Sequence, residues 1–354
     1  MILHFNFFVN SENEIRYNTY MQILSTSGWN NYELLDSGDG MRYERFGPYT
    51  IVRPDPQAIW QPSQNEKQWN EADVKFVRTS QDKGTWKFKR HIPEKWLMHW
   101  KDLSFWVRLT SFKHTGVFPE QSLQWEWIQD QIRFRYNSVH QIKSSGPESR
   151  KKPEISDMSE KTDISDVLTH RIPSEYHLSI LNLFAYTGIA TLAAASAGAK
   201  VTHVDSSKPT ITWARENAEA SKLADKPIRW ILDDAGKFVE RELKRGTKYD
   251  GIIMDPPVYG HGPTGQIWKF NENFPKLLKS CMQLLSDKPL FIIVNAYAIS
   301  SSAIMLENVL QDNLKMFKGL PAGRQGKIEV GELCLQESQS KRLLSTGIFA
   351  RWNR

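Results

Sequence analysis

One stretch of the chain restricts the fold more than any other: Ile180-Leu-Asn-Leu-Phe-Ala-Tyr-Thr-Gly188, with the residues from there to Asp205. Ile180–Phe184 is an apolar run of strand length, broken at Tyr186-Thr187-Gly188. A small-residue helix, Ile189–Ala197, comes next, with Gly198 where a helix C-cap glycine belongs. A second strand, Val201–Val204, ends in Asp205. Strand, turn, helix, strand, acid is the order of the nucleotide-binding half of a doubly wound sheet, where the acid accepts from ribose hydroxyls.

The turn selects the cofactor. A pyrophosphate needs backbone amides at close approach, hence G-x-G-x-x-G. Here Gly188 stands alone before Ile189 and Ala190, and nothing cradles a diphosphate. A cofactor with an adenosine and no phosphate fits better, S-adenosylmethionine first among them. A purely structural turn in another parallel-sheet protein is the alternative at this point. The later strands weigh against that alternative. Ile228–Leu232 ends at Asp233-Asp234, where a carboxylate can accept from an adenine amino group. Tyr249–Met254 ends at Asp255-Pro256-Pro257-Val258-Tyr259. Three strands therefore end in acids, on the edge where such sheets bind ligands. The two prolines fix the backbone and leave carbonyls free to accept.

Leu181–Gly188, Val204-Asp-Ser-Ser207, Asp233-Asp234 and Asp255-Pro-Pro257 resemble class I S-adenosylmethionine-dependent methyltransferases, and within them the family of large-subunit ribosomal RNA methyltransferases. Thr115-Gly-Val-Phe-Pro-Glu-Gln121 is similar to a segment that precedes the catalytic domain in that family. The resemblance implies an α/β fold with a Rossmann-like, doubly wound, mostly parallel seven-stranded sheet; the strand patterns before it add a small N-terminal β-rich domain. It implies a cofactor site of Phe118, Glu120, Gln121, Asn182, Phe184, Tyr186, Thr187, Gly188, Asp205, Ser206, Asp233, Asp234 and Asp255. It also implies a catalytic loop of Asp255, Pro256, Pro257 and Tyr259, with no metal.

Composition narrows the setting. Of the 354 residues, 40% are hydrophobic and 24% charged, enough apolar content for a sizeable core. The two cysteines, Cys281 and Cys334, exclude a disulfide framework and suit a reducing cytoplasm. No run approaches the roughly 18 apolar residues of a membrane span. A net charge of +6 permits an anionic partner such as RNA but also describes an ordinary solvated surface.

The chain divides into an N-terminal extension (1–30), whose order the sequence leaves open, a β-rich domain (31–112), a connecting segment (113–172) and the catalytic domain (173–354). Within the β-rich part, Asp36-Ser-Gly-Asp-Gly40 between two strand patterns signals a hairpin. In Gly84–Arg90 aromatic residues alternate with lysines. That pattern suits a half-buried strand with Trp86 and Phe88 inward, or an RNA-facing strand. His114 is a candidate base, although a histidine beside a glycine turn is commonly structural. Residues 138–172 read as a long connection and 319–326 as a loop, and the strands Lys327–Leu335 and Ser345–Trp352 close the sheet.

The Asp-Pro-Pro-x-Tyr loop points to the chemistry. Methyl transfer to an amine requires alignment and removal of one proton. Asp255 and the Pro256 carbonyl can accept amino hydrogens while Tyr259 stacks on a planar ring. Methylation at cytosine C5 needs a cysteine nucleophile instead, and Asn295-Ala-Tyr-Ala-Ile-Ser300 offers none after the fifth strand. The expectation is therefore a methyltransferase acting on a base nitrogen of RNA, ribosomal RNA by the resemblance. A small-molecule or protein substrate is one alternative, and a non-catalytic RNA-binding protein with a vestigial cofactor fold is another.

Overall fold

The computed structural model describes residues 21–79, 84–144, 177–261, 267–297, 301–317 and 326–354. Gln22–Thr26 (β1) comes first. It is followed by a five-stranded sheet of Tyr32–Gly38 (β2), Met41–Phe46 (β3), Tyr49–Pro54 (β4), Val74–Arg78 (β5) and Gly84–Phe88 (β6). The β2–β3 hairpin turns at Asp39-Gly40, both with positive φ (51° and 72°), the geometry that Asp-Gly favours between right-twisted strands. A short helix, Glu66–Asn70 (α1), is capped by Asn65. Lys95–Trp100 (β7) and Leu103–Arg108 (β8) form a separate antiparallel pair. Trp86 of β6 is partly buried against Phe76, but Phe88 is exposed, so only half of the inward-aromatic expectation for that strand is met.

A charged cluster lies inside this β-rich part. Arg42, Glu44 and Phe46 share one face of β3, and that face is buried. Arg53 on β4 donates twice to Glu44, from Nε to Oε2 at 2.6 Å and from Nη2 to Oε1 at 3.0 Å. Arg42 Nε stands 3.2 Å from the same carboxylate, and the Tyr32 hydroxyl donates to it at 2.8 Å. Burial opposes the Glu44 charge, yet Arg42 and Arg53 hold its carboxyl below its ordinary value.

The larger sheet is built after Pro119–Gln121, a single 3-10 turn, and the long helix Ser122–Ser144 (α2). Its elements are Ser179–Leu183 (β9), Ile189–Ser196 (α3), Lys200–Asp205 (β10), Lys208–Ala220 (α4), Ile228–Leu232 (β11), Ala235–Arg245 (α5) and Gly251–Met254 (β12). A two-stranded hairpin comes next, Tyr259–His261 (β13) and Ile267–Lys269 (β14), then Phe270–Gln283 (α6) and Phe291–Ala296 (β15). Ala303–Met316 (α7), Lys327–Gln336 (β16) and Leu343–Asn353 (β17) complete it. The strand order is β1-β16-β17-β15-β12-β9-β10-β11. β9, β10, β11, β12 and β15 are parallel, and β17 runs antiparallel to both β15 and β16. β12 and β15 are buried throughout, as strands covered on both faces must be. Helices α2 and α3 pack in one layer and α5, α6 and α7 in the other. From β9 the chain winds outward in one direction to β11 and then, from β12, in the other. The crevice of the fold therefore opens at the C-terminal ends of β9 and β12.

The sheet has eight strands, not the expected seven, because β1 adds an edge. Gln22–Thr26, expected to lie in an N-terminal extension, pairs in parallel with Gly331–Leu335 of β16. Its pairing partner lies some 300 residues away, and its five residues are mostly half-exposed, so no local pattern marks it. The β-rich part and the catalytic sheet also share one core: Phe105, Val107 and Trp100 pack in the same cluster as Trp125, Ile189 and Leu192. The backbone of β8 bonds α4 directly, through Trp106 N–H to Asn217 Oδ1 at 2.8 Å. Most of the 138–172 connection lies outside the described residues, although its first residues continue α2 to Ser144; of the 319–326 loop only Gly326 is described.

Candidate active site

The turn after β9 is held in a strained shape. Phe184 and Tyr186 both have positive φ (56° and 48°), uncommon for aromatic residues and typical of functional sites. Asp205 at the end of β10 fixes this turn: its Oδ2 accepts from the Tyr186 N–H at 2.8 Å. Its Oδ1 accepts from the Ser207 N–H and the Thr210 hydroxyl, both at 2.9 Å. Gly188 begins α3 with φ 83°. A Cβ there would meet Ala214 at 2.9 Å, so the glycine serves a close approach of α3 to α4.

The preceding segment closes the cleft from the other side. Thr187 Oγ1 donates to the Gly116 carbonyl at 2.5 Å. Gly116 has φ 88°, and a Cβ on it would run into the Trp213 ring, so no other residue fits. The Phe118 ring lies between Tyr186 (5.8 Å) and Tyr297 (5.5 Å). Gln121 Nε2 donates to Asp255 Oδ2 at 2.7 Å. Asn182 donates to the Thr191 hydroxyl at 2.9 Å, which lies 3.0 Å from His203 Nδ1, a buried chain that fixes the Asn182 amide.

Most of these groups line an open cleft at the C-terminal ends of β9 and β12. Of the residues expected from sequence, the structure places Phe118, Gln121, Asn182, Phe184, Tyr186, Thr187, Gly188 and Asp255 on its wall. Asp205 reaches it only through the Tyr186 amide. Asp234 uses one oxygen to cap α5 through the Lys237 N–H, and Asp233 pairs with Arg241. Glu120, Ser206, Asp233, Asp234, Pro256, Pro257 and Tyr259 are not among the wall residues. Tyr259 is 54% exposed at the start of β13, where β13 pairs with β14. The Pro257 carbonyl, expected to be free, accepts from the Trp268 indole N–H at 2.6 Å, and the Trp268 ring lies 4.9 Å from Phe184. Among the described residues, no donor reaches the Pro256 carbonyl or Asp255 Oδ1.

Sequence reasoning did not single out Gly116, Trp125 or Asn295 as wall residues, or Trp268 as a clamp on the loop. Gly116 was legible in principle, as the turn glycine of Thr115-Gly-Val-Phe.

The electrostatics of the site are set by burial. It pushes the Asp255 carboxyl up from 3.8 to about 7, Glu120 adds to that rise, and the Gln121 bond opposes it. Burial pushes His114 down to about 3, so it is neutral and a weak base, packed on Phe118 at 5.5 Å. Cys281 is buried in α6 and Cys334 in β16; burial raises both thiols, Cys334 to about 11, and neither lines the cleft. Among the described residues no cluster of His, Cys, Asp and Glu has the make-up of a metal site. No helix among them is long and apolar enough to cross a membrane.

A lone Gly188 with no phosphate cradle, an acid at the end of β10 and an aromatic-lined cleft suit an adenosine cofactor carrying a neutral link in place of phosphates. Comparison with known proteins agrees. Residues 161–280 match the family described as Conserved hypothetical protein 95. A solved S-adenosylmethionine-dependent methyltransferase from Agrobacterium tumefaciens is 35% identical. It superposes with a TM-score of 0.77 over 94% of this chain and 93% of its own. A methyltransferase structure from Streptococcus mutans, 15% identical with a TM-score of 0.61 over 92% of this chain and 76% of its own, shares the fold. Curated relatives match over shorter stretches. The large-subunit ribosomal RNA methyltransferase K/L of a Shewanella species is 38% identical over 84 residues, 23% of this chain and 12% of the relative. Methyltransferase I of Escherichia coli is 35% identical over 103 residues, 29% of this chain and 23% of the relative. The chain thus spans less than a quarter of the curated relatives it matches. It belongs to the S-adenosylmethionine-dependent methyltransferases.

Proposed function

We propose that this protein transfers a methyl group from S-adenosylmethionine to an amino nitrogen of an RNA base, with ribosomal RNA as the substrate. The observation that carries this reading is Asp255: a carboxylate at the crevice edge of β12, followed by two prolines, with one oxygen held by Gln121 and the other left for an amine. The ribosomal substrate is supported by the names of the curated relatives that share the cofactor segment.

Bound S-adenosylmethionine supplies an electrophilic methyl group on a sulfonium. The protein's residues position and deprotonate the nucleophile. The Pro256 carbonyl and Asp255 Oδ1 accept the two amino hydrogens and orient the nitrogen lone pair toward the cleft. As the nitrogen gains the methyl, its proton passes to Asp255. An acceptor titrating near 7 is charged at the pH of the reaction yet basic enough to take that proton. Tyr259 and Val258, exposed on the loop, are placed to receive the face of a flat ring. Tyr186 and Asn182 hold the cofactor, Asp205 fixes the turn that carries Tyr186, and the buried cysteines, off the cleft wall, leave no route to attack on cytosine C5.

The test is a nucleoside analysis of ribosomal RNA from cells with and without the protein: one base methylated at an exocyclic nitrogen should be missing from the latter. An unchanged methylation pattern would move the substrate to a small molecule or a protein.

A separate prediction concerns the cofactor. Asp205→Ala removes the anchor of the Phe184–Tyr186 turn, which lines the cleft. Affinity for S-adenosylhomocysteine should fall about 30-fold, roughly 2 kcal/mol, when measured by calorimetry. Turnover at saturating cofactor should fall far less.

A further inference from the structure

We propose that the turn Pro119–Gln121 is the positioning element of the catalytic carboxylate, with the Gln121 amide holding Asp255. This deepens the reading of Asp255 as the proton acceptor and rests on it.

The geometry is that of a built support. Gln121 is 7% exposed and gives its amide N–H to Asp255 Oδ2 at 2.7 Å. That bond takes one carboxylate oxygen and leaves Oδ1 for the substrate amine. Glu120 is 2% exposed, its Oε2 has no hydrogen-bond partner among the described residues, and it is not on the cleft wall. Burial raises the Glu120 carboxyl, and Arg42 and Arg53 of the β-rich part oppose that rise. The turn is pinned from outside the catalytic chain segment. Thr26, the last residue of β1, donates to the Pro119 carbonyl at 2.9 Å and lies 2.9 Å from the Ser122 hydroxyl. The edge strand β1 thus fixes a turn that in turn fixes Asp255, which gives a role to a strand that the parallel sheet does not otherwise require.

A donor to the charged carboxylate favours its ionised form. Methyl transfer needs the ionised form, so the acid limb of kcat against pH tracks the Asp255 titration. Gln121→Leu is expected to move that limb up by about one pH unit. The same movement should appear without turnover, in the carbon-13 titration of the Asp255 carboxyl in the full-length variant.

An upward movement of the Asp255 titration supports the proposal. An unmoved titration would overturn it, and joined to at least a tenfold loss of calorimetric affinity for S-adenosylhomocysteine would make Gln121 a cofactor ligand only. Should Asp255→Asn keep normal turnover while the titration moves as stated, the positioning stands and the catalytic reading of Asp255 fails, so the two failures are distinguishable.

Discussion

Asp255→Asn should lower methyl transfer at pH 8 by about a thousandfold and at the same time make the protein more stable. The loss of rate comes from removing the proton acceptor while keeping a side chain of the same shape that still accepts from Gln121. The gain in stability comes from the direction in which the carboxyl is pushed. Burial raises it from 3.8 to about 7, so the folded protein binds the proton more tightly than the unfolded chain. Stability therefore declines as pH rises between those values, and above pH 7 the folded state carries the full cost of a buried charge. Each pH unit between the two values corresponds to about 1.4 kcal/mol. Because Asp255 keeps some solvent contact, on the order of 2 kcal/mol is the expected gain at pH 8, vanishing toward pH 4. Thermal melts of both proteins at pH 8 and pH 4.5 measure it. Equal melting temperatures at pH 8 would mean that the site is better solvated than its geometry indicates. In the wild type, kcat should fall as pH drops through about 7, as Asp255 takes up its proton.

The second large effect lies far from the cleft. Glu44→Ala should destabilise the protein by about 3–5 kcal/mol, seen as a melting temperature roughly 10 °C lower. Glu44 is fully buried and holds Arg53 through two bonds and Arg42 through an ion pair, so its removal leaves Arg53 with the Lys113 carbonyl and Arg42 with Asp55 at 3.6 Å as their remaining partners inside the protein. Glu44→Gln keeps oxygen and shape and should cost less. Because the Glu44 carboxyl is held below its ordinary value, its contribution is present above the usual carboxylate range and is lost only as pH falls through the folded-state titration. A loss under about 1 kcal/mol for the alanine variant would show that water reaches the cluster.

The parts of this molecule that a sequence reveals are those where one physical demand dominates a short stretch. Ile180, Leu181 and Leu183 read as a strand because they form an apolar run of strand length that the Tyr186-Thr187-Gly188 turn ends, and β9 is that strand. Asp39-Gly40 read as a hairpin because few other pairs tolerate two positive φ values in a row. The features that stayed hidden depend on pairs distant in the chain. Arg42 and Glu44 look like the solvated side of an alternating strand, and only the approach of Arg53 and Tyr32 makes that side interior. β1 is invisible without Gly331–Leu335 beside it. Asp205 and Asp234 were legible as acids at strand ends, but not the work they do for the backbone, at the Tyr186 amide and at the start of α5. The Asp-Pro-Pro run suggested two free carbonyls, and one is taken by Trp268, a partner separated from it by a hairpin.

The most direct test of this mechanism is transfer of a labelled methyl group from S-adenosylmethionine to RNA isolated from cells lacking the protein, followed by digestion to nucleosides. Label is expected on one exocyclic base nitrogen, lost with Asp255→Asn and retained, at raised cofactor concentration, with Asp205→Ala. Label at carbon 5 of cytosine, or RNA left unlabelled by a protein that binds the cofactor, would contradict the mechanism.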